Sequence, residues 1–488
     1  CISRQLWWGH RIPVWYCQDC SGLTVDTEPA TRCRHCNSIR IEQDPDVLDT
    51  WFSSALWTHS TLGWPNDTAD LGYFYPTSVM ETGYDILFFW VARMIMMGLE
   101  NTGKIPFHTV YLHGLVRDKK GEKMSKVRGN VINPLRTIEQ YGTDALRFAL
   151  STNTAPGNDI KLTPSRLEAG RNFANKLWNA TRFILRSAGD EDGNYLPGTN
   201  QLPVEDRWIL SHLNRTIASV TKTMDGFQFG EAQRYIHDFI WGEFCDWYIE
   251  IAKVRISSPL ETISPLPMLL RVMESSLRML HPFMPFLTEE LWQHIIYRLN
   301  PSQQNNQSIM IAPYPEADTG LYDIEAERIM ASVIEIVRAI RNTRSEYNID
   351  RNRPIGARIY GGKLISRIKP HSNAIQSLAR TAPLDFYIDR GEKPPREGEL
   401  VLVLQETEVA IPLEGIVDFQ AERARLQREI EETRSAVSGL QKRLQDKSFL
   451  AKAPQKVIDN EKDKLIIRES KLKRLEEQLD SLNPGNIK

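Results

Sequence analysis

Apolar or tolerated residues toward the end of the chain fall on a strict four-three spacing. Leu426, Ile430, Thr433, Val437, Leu440 and Leu444 mark one seam; beyond Pro454, Leu465, Arg468, Leu472, Leu475, Leu479 and Leu482 mark a second. A single stripe of this width stabilises a lone helix poorly. Two such segments joined by a proline-containing turn therefore predict an antiparallel coiled coil over residues 417–488. Upstream the period changes. Residues 171–186, 206–224, 231–257 and 269–299 have helical periodicity, with breaks rich in Pro, Gly and Asn at 196–203 and 258–267, and predict a helical bundle over 165–320. Between bundle and coiled coil, residues 321–416 combine a helix (324–342) with alternating strand-like runs (399–404, 408–412), a small α/β module. From 46 to 164 short apolar runs alternate with helical ones. Residues 110–115 read as a buried strand, and 84–99 and 135–150 as helices, so this part predicts a parallel α/β unit. The expected fold class is thus multidomain, α/β plus all-α.

Composition narrows the picture little. A chain of 488 residues, 41% hydrophobic and 25% charged, is ordinary for a soluble protein of several domains. A net charge of -2 gives no global attraction to nucleic acid, so any RNA contact must use local basic surface. The most apolar stretch, 86–99, is too short to span a bilayer and contains Arg93. It predicts a buried helix and no membrane partner. Cys1 stands first, with no signal-like segment before it. The expectation is a cytoplasmic chain that begins inside a larger protein.

Of six cysteines, four have metal spacing: Cys17-x-x-Cys20 and Cys33-x-x-Cys36. Each pair can present two thiolates from a tight knuckle, and four complete a tetrahedral zinc site. A closed ligand set of this kind is structural, and it would fix residues 1–45, which have little core of their own. The bland alternative is a knuckle of reduced thiols without metal.

Gly121-Glu122-Lys123-Met124-Ser125-Lys126 places two lysines on a glycine-bounded loop between strand-like and helix-like runs. Ammonium groups on such a loop suit a phosphate chain that is gripped and released. Trp51 and Trp90 are flat walls by size, and Asp85 follows a glycine-containing turn at a helix start. Taken singly, a lysine loop is solvated surface, tryptophans are core, and Asp85 is a cap.

The order of segments changes that weighting. DVLDTWFSS, then ETGYDILFFWVARM, YLHGLVRDKKGEKMSK and RNFANKLWNATRF, followed by HPFMPFLTEELW, resembles the valyl-tRNA synthetases of class I over essentially the whole chain. The resemblance implies the second half of a Rossmann-like catalytic domain over 46–164, a helical anticodon-binding domain, and a coiled-coil arm that meets tRNA. It implies ATP-dependent attachment of valine to tRNA(Val), with Mg²⁺, by a monomer. Residue by residue, Lys123 and Lys126 match the lysines that hold the ATP phosphates, with Met124 and Ser125 between them. Gly83 and Asp85 match the turn beside the ribose, His113 and Gly114 the step along the adenine, and Trp51 and Trp90 the walls of the valine pocket. The family loop ends in Ser where Val127 stands here. No His-x-Gly-His element, the family's other ATP signature, occurs in this sequence, and the family's editing domain has no counterpart. The expectation is that this chain alone does not activate valine. Isoleucyl or leucyl enzymes of the same class, and a non-catalytic tRNA-binding derivative, are the alternatives.

RNA-facing residues are expected in two places. In the bundle, Arg171, Lys176 and Arg182 are either an RNA surface or a solvated face, and Trp178 reads as core. Toward the hairpin tip, Lys442, Arg443, Lys447, Lys452 and Lys456 are opposed by Asp446 alone. The bland reading is a salt-bridged coiled coil; the functional one is an arm that reaches phosphates.

Overall fold

A computed structural model of the chain describes residues 2–188, 198, 201–258, 263–299, 308–393, 399–412 and 419–445, with backbone alone over 419–426, and in the last segment residues 458, 461, 462, 464–466, 468, 469, 472, 473, 476 and 479. It divides into two compact units. One comprises Cys1–Lys176, Ser219–Ile236 and Leu280–Thr288; the other comprises Leu177–Ala218, His237–Met279 and Glu289–Lys488.

In the first unit, strands Leu23–Val25, Val14–Cys17 and Ile41–Gln43 form an antiparallel sheet with Val14–Cys17 in the centre. Next, Thr77–Gly83 pairs in parallel with Phe107–His113, the register ending with Gly83 opposite His113. Parallel neighbours need a helical crossover, and residues 84–102 supply it. The expected single helix is three pieces: a 3-10 turn Tyr84–Ile86, a π-helical turn Leu87–Val91, and an α-helix Ala92–Thr102 that stops at Gly103 (φ 71°). An all-apolar run carries no period to distinguish these hydrogen-bond patterns. The wider turn sends Val91 into a core with Met80, Met94 and Phe107, on which Trp90, Ile95 and Val110 pack.

A second parallel pair, Val116–Arg117 with Ile160–Lys161, follows. Residues 135–150 also split. Helix Pro134–Tyr141 ends at Gly142, whose φ of 95° no helix accommodates, and Thr143–Ser151 starts anew. Asn133 caps the first of these by accepting from Leu135 N, with Pro134 where a missing N–H costs nothing. Ala149, Leu162 and Leu167 pack with Val116, Ile132 and Tyr141 beneath them. Asp144 crosses to cap another helix, accepting from Leu287 N at 2.6 Å.

The second unit is mostly helical, as the periodicity requires. Its core includes Ile240, Phe244, Tyr248, Met268 and Leu269. The expected helix over 231–257 carries a π-helical stretch, Phe239–Tyr248, between α-helices Phe229–Asp238 and Ile249–Ile256. The expected helix over 269–299 is two, Leu266–Leu280 and Pro285–Leu299, because Pro282 and Pro285 lack the N–H a continuing helix needs. Trp178, read as core, is 43% exposed. Asp206, 1% exposed, accepts from Tyr248 OH at 2.7 Å and pairs with Arg255, which also donates to Ile263 O at 2.9 Å.

The α/β module has a four-stranded sheet in the order Thr381–Tyr387, Ile355–Tyr360, Glu408–Pro412, Glu399–Val403, its first pair parallel and the others antiparallel. Helix Ile324–Glu346 packs on it with Ile336, Val337 and Ile340 buried. Helix Phe419–Gln445 follows, and the residues described beyond it, from 458 to 479, are helical as well. Its Ile430 meets Tyr347, Leu472 and Leu479. Arg434 pairs with Glu476 at 2.6 Å, Gln441 donates to Glu469 at 2.9 Å, and Arg443 lies 3.6 Å from Glu461. As numbers rise along the helix, those of its partners fall. Lys442 and Arg443 are exposed; Lys447, Lys452 and Lys456 lie outside the described residues. Among the described residues no helix is long and apolar enough to cross a membrane.

Candidate functional site

Gly83 and His113 end two adjacent parallel strands, the edge where open α/β sheets bind ligands. A Cβ at Gly83 would stand 2.7 Å from Asp85 Oδ1, so Asp85 would have to move to admit one. The Asp85 carboxylate lies close over Gly83 and is exposed. His113 Nδ1 lies 2.9 Å from Gly114 O, and its Nε2 3.3 Å from Glu81 Oε1. At Gly114 the backbone of residues 158–159 comes so close that a Cβ would sit 1.7 Å from Asn158 O. Glycine is thus obligatory at Gly114 for chain packing, independently of any ligand.

Asp159 holds these ends together. It accepts from Leu115 N at 2.9 Å, from Arg117 Nε at 2.5 Å and from Tyr84 OH at 3.1 Å. The Leu115 N–H, then Arg117 and Tyr84, keep its carboxyl below the usual carboxylate range. One side chain so joins the turn after Gly83, the step after Gly114 and the strand that leads to the lysine loop. The sequence gives no local sign of this role, because the partners lie 42 to 75 residues away.

The lysine loop leaves strand Val116–Arg117 and returns at Lys123, which bridges to Arg117. Buried Asp118 organises it. Its carboxylate accepts from Lys120 N at 2.9 Å, Glu122 N at 2.8 Å and Asn130 Nδ2 at 2.9 Å. Asn130 Oδ1 in turn accepts from Ser125 N at 2.9 Å. A turn closes over Ser125–Gly129, with Arg128 N donating to Ser125 O and Gly129 at φ 67°. Lys123 and Lys126 are exposed, and Val127 is 97% exposed. A scaffold of short polar bonds thus presents two ammonium groups to solvent. Asp118 and Asn130 were absent from the sequence-derived site, although an Asp one residue before Lys-Lys-Gly is a turn signal.

Trp51 and Trp90 come from different elements. Trp51 lies on helix Thr50–Ala55, capped by Asp49, and Trp90 on the π-helical turn. Trp51 neighbours Phe89 at 6.0 Å between ring centres, with the Arg93 guanidinium 5.9 Å above it. Trp90 neighbours Trp57 at 6.1 Å and donates Nε1–H to Ser54 O at 3.1 Å. Each ring is therefore held by its own partners.

The four cysteines converge. Their sulfurs all lie within 4.8 Å of one another, with Cys17–Cys36 and Cys20–Cys33 at 3.6 Å. A tetrahedral ion with bonds of about 2.3 Å separates its sulfurs by about 3.8 Å. The two knuckles are built alike. Ser21 N donates to Cys17 O and Asn37 N to Cys33 O, both at 3.0 Å, and Ser21 (φ 60°) and Asn37 (φ 61°) are both left-handed. Backbone N–H groups of Cys36 and His35 push the Cys33 thiol down to about 6. The donor set, the spacing and the N–H···S bonds fit a zinc ion.

The profile of class I tRNA synthetases (I, L, M and V) matches residues 1–163, that of the anticodon-binding domain of tRNA ligases 206–360, and that of the valyl tRNA synthetase tRNA binding arm 418–483. The chain is 53% identical to the valine–tRNA ligase of Dehalococcoides mccartyi over 97% of its own length and 53% of that relative. To the valine–tRNA ligase of Symbiobacterium thermophilum it is 45% identical, over 99% of itself and 54% of the relative. The chain spans about half the length of the curated relatives it matches. Among solved structures it is similar to the LeuRS of Agrobacterium radiobacter K84, solved in a ternary complex with tRNA and LeuAMS. The TM-score is 0.53 at 20% identity, over 72% of this chain and 49% of the other, a likeness of fold.

Proposed function

The chain belongs to the class I tRNA synthetases, with valine–tRNA ligases as its relatives over nearly its whole length, and from that kinship we propose that its protein joins valine to tRNA(Val) through a valyl-adenylate made with ATP. The observation that carries this reading is the strand edge at Gly83 and His113, followed directly by a rigidly framed loop that offers Lys123 and Lys126 to solvent.

In the proposed reaction a carboxylate oxygen of valine bonds to the α-phosphorus of ATP. The bond from that phosphorus to the bridging oxygen breaks, and pyrophosphate leaves with the electron pair. Little covalent work falls to the protein, so positioning and charge dominate. Lys123 and Lys126, Lys126 above all, donate to phosphate oxygens as charge gathers there. Met124 and Ser125 set their spacing. Asp85 beside Gly83 accepts from the ribose hydroxyls, and the His113–Gly114 step lies along the adenine. Trp51 and Trp90 wall the valine side chain. Mg²⁺, when bound, neutralises phosphate charge. Cys17, Cys20, Cys33 and Cys36 hold zinc in a structural role, an assignment their sulfur spacing supports.

The second unit is proposed to hold the tRNA. Helix Phe419–Gln445 and the later helical residues that partner Arg434, Gln441 and Arg443 support an antiparallel coiled-coil arm, whose exposed Lys442 and Arg443 lie toward the basic end. The test is valine-dependent ATP–pyrophosphate exchange in a protein of the relatives' length that carries this chain. Exchange driven by valine is expected. Exchange driven by isoleucine or leucine but not valine would assign the chain to another branched-chain synthetase.

A further inference from the structure

Most arginines of the second unit with a nearby carboxylate use it: Arg207, Arg215, Arg278 and Arg328 are all ion-paired. Five others break that habit. Arg338, Arg341 and Arg344 recur every third residue toward the end of helix Ile324–Glu346, and Arg351 and Arg380 come from the turn that follows it and from the end of helix Ser372–Ala379. None has a carboxylate within ion-pair distance among the described residues.

Four of them, Arg341, Arg344, Arg351 and Arg380, line a cleft of about 750 Å³ in which Asp350 is the only acid among the described lining residues. Asp350 spends one carboxylate oxygen on Asn352 N at 2.7 Å. Buried Arg344 spends its fork on backbone carbonyls, donating to Asp350 O at 2.7 Å and to Arg380 O at 3.3 Å. It forms the floor. The rim is different. Arg341 uses only Nε, on Leu378 O at 2.8 Å, which leaves both terminal amino groups; Arg351, Arg341 and Arg380 are exposed. Arg380 is held at φ 54°, a left-handed conformation that costs a non-glycine residue free energy. Its side chain returns to Arg351 O at 2.6 Å, so the strained backbone keeps a third guanidinium on the same cleft. Burial first, and then the neighbouring Arg380, depress the Arg344 pKa, and the Asp350 carboxylate offsets this only in part. Alongside, Arg338 and Arg341 lie over the Trp247 ring at 5.2 and 5.5 Å.

Helix C-termini attract cations, and three arginines there would satisfy that rule alone. It extends to Arg380, the C-cap of helix Ser372–Ala379, but not to Arg351, and it does not explain why the ends of two helices and a turn bring their guanidinium groups to one cleft. Planar forks that outnumber the single lining carboxylate and form no ion pair with it match phosphate oxygens, which they bind two at a time.

We propose that the cleft of Arg341, Arg344, Arg351 and Arg380 binds backbone phosphates of the tRNA, a contact separate from the arm and from the lysine loop. It rests on the reading of this protein as a tRNA-binding synthetase. In a chain of net charge -2 such a local excess also steers RNA toward this face.

The test is a salt titration of tRNA(Val) transcript binding to the 488-residue chain, its Arg341→Ala/Arg351→Ala form and its Arg341→Lys/Arg351→Lys form, with circular dichroism to check folding. Both positions are exposed rim residues, so the alanine form should fold. The alanine form is expected to bind about tenfold more weakly in moderate salt, with the slope of log K against log salt reduced by one to two, about one for each phosphate no longer neutralised. The lysine form should keep most of the slope. An unchanged affinity and slope in the alanine form, while the parent binds, overturns this proposal alone. Polyglutamate is titrated against the same three proteins; loss of its binding in the alanine form with tRNA binding intact also overturns the proposal, in favour of an acidic protein partner. No tRNA binding by the parent chain overturns the broader tRNA reading as well.

Discussion

The Asn130 side-chain amide donates to the Asp118 carboxylate at 2.9 Å, and this bond spans the loop that carries Lys123 and Lys126. Among the described residues the exposed lysine ammonium groups have no such anchor of their own, so their placement depends on buried Asp118 and half-buried Asn130. Bonds from Asn130 first, then from the backbone of Glu122 and Lys120, hold the Asp118 carboxyl below its ordinary value.

The loop's order is therefore complete above the ordinary carboxylate pKa and is lost as the pH falls through the lower folded value. Protection of the Glu122 and Ser125 amides, taken relative to free-chain exchange at the same pH, should be high at neutral pH and fall as the pH drops below the ordinary carboxylate range. Asn130→Ala should give the unprotected, fast exchange already at pH 7. Slow exchange in that variant would show that the loop is held by something else.

Gly114→Ala should destabilise the first unit by about 3 kcal/mol, at the upper end for forced overpacking, because the new methyl meets backbone that cannot rotate away. Gly83→Ala should cost less, since its clash is with the movable Asp85 side chain. Chemical denaturation compares the two; equal midpoints would contradict the geometry.

Zinc should be present at one ion per chain, and stripping it with a chelator should loosen the sheet built on Val14–Cys17. Trp15, 7% exposed and two residues from Cys17, reports that change by fluorescence. Cys33→Ser should lose the ion and show the stripped spectrum from the start. A metal-free preparation with an unaltered spectrum and melting curve would make the cysteines an idle knuckle.

Features written in adjacent residues were legible in the sequence: the paired Cys-x-x-Cys knuckles, the lysine loop and the seam that begins at Leu426. Each depends on spacing alone. What was not legible depends on distance through space. Asp159 gathers Tyr84, Leu115 and Arg117 from across the unit, and Asp206 meets Tyr248 and Arg255 from another helix. The π-helical turns at Leu87–Val91 and Phe239–Tyr248 escaped because apolar residues on every side erase the period that would reveal them. The breaks at Gly142 and Pro285 were visible as residues, yet apolar runs on both sides masked them.

Removing residues 417–488 should weaken tRNA(Val) binding and flatten its salt dependence. Lys442→Ala/Arg443→Ala should remove part of that slope, up to about one for each phosphate that the arm then fails to neutralise. Filter binding across a range of salt reads both. A truncated chain with the parent's affinity and slope would leave the arm a structural hairpin.

The central claim, that the loop's ammonium groups hold the phosphates of ATP, is tested most directly by Lys126→Ala in a protein of the relatives' length that carries this chain. Valine-dependent ATP–pyrophosphate exchange should fall by about 10²-fold or more, a barrier increase of about 3 kcal/mol, the scale of one lost oxyanion donor. An exchange rate close to that of the parent protein would contradict it.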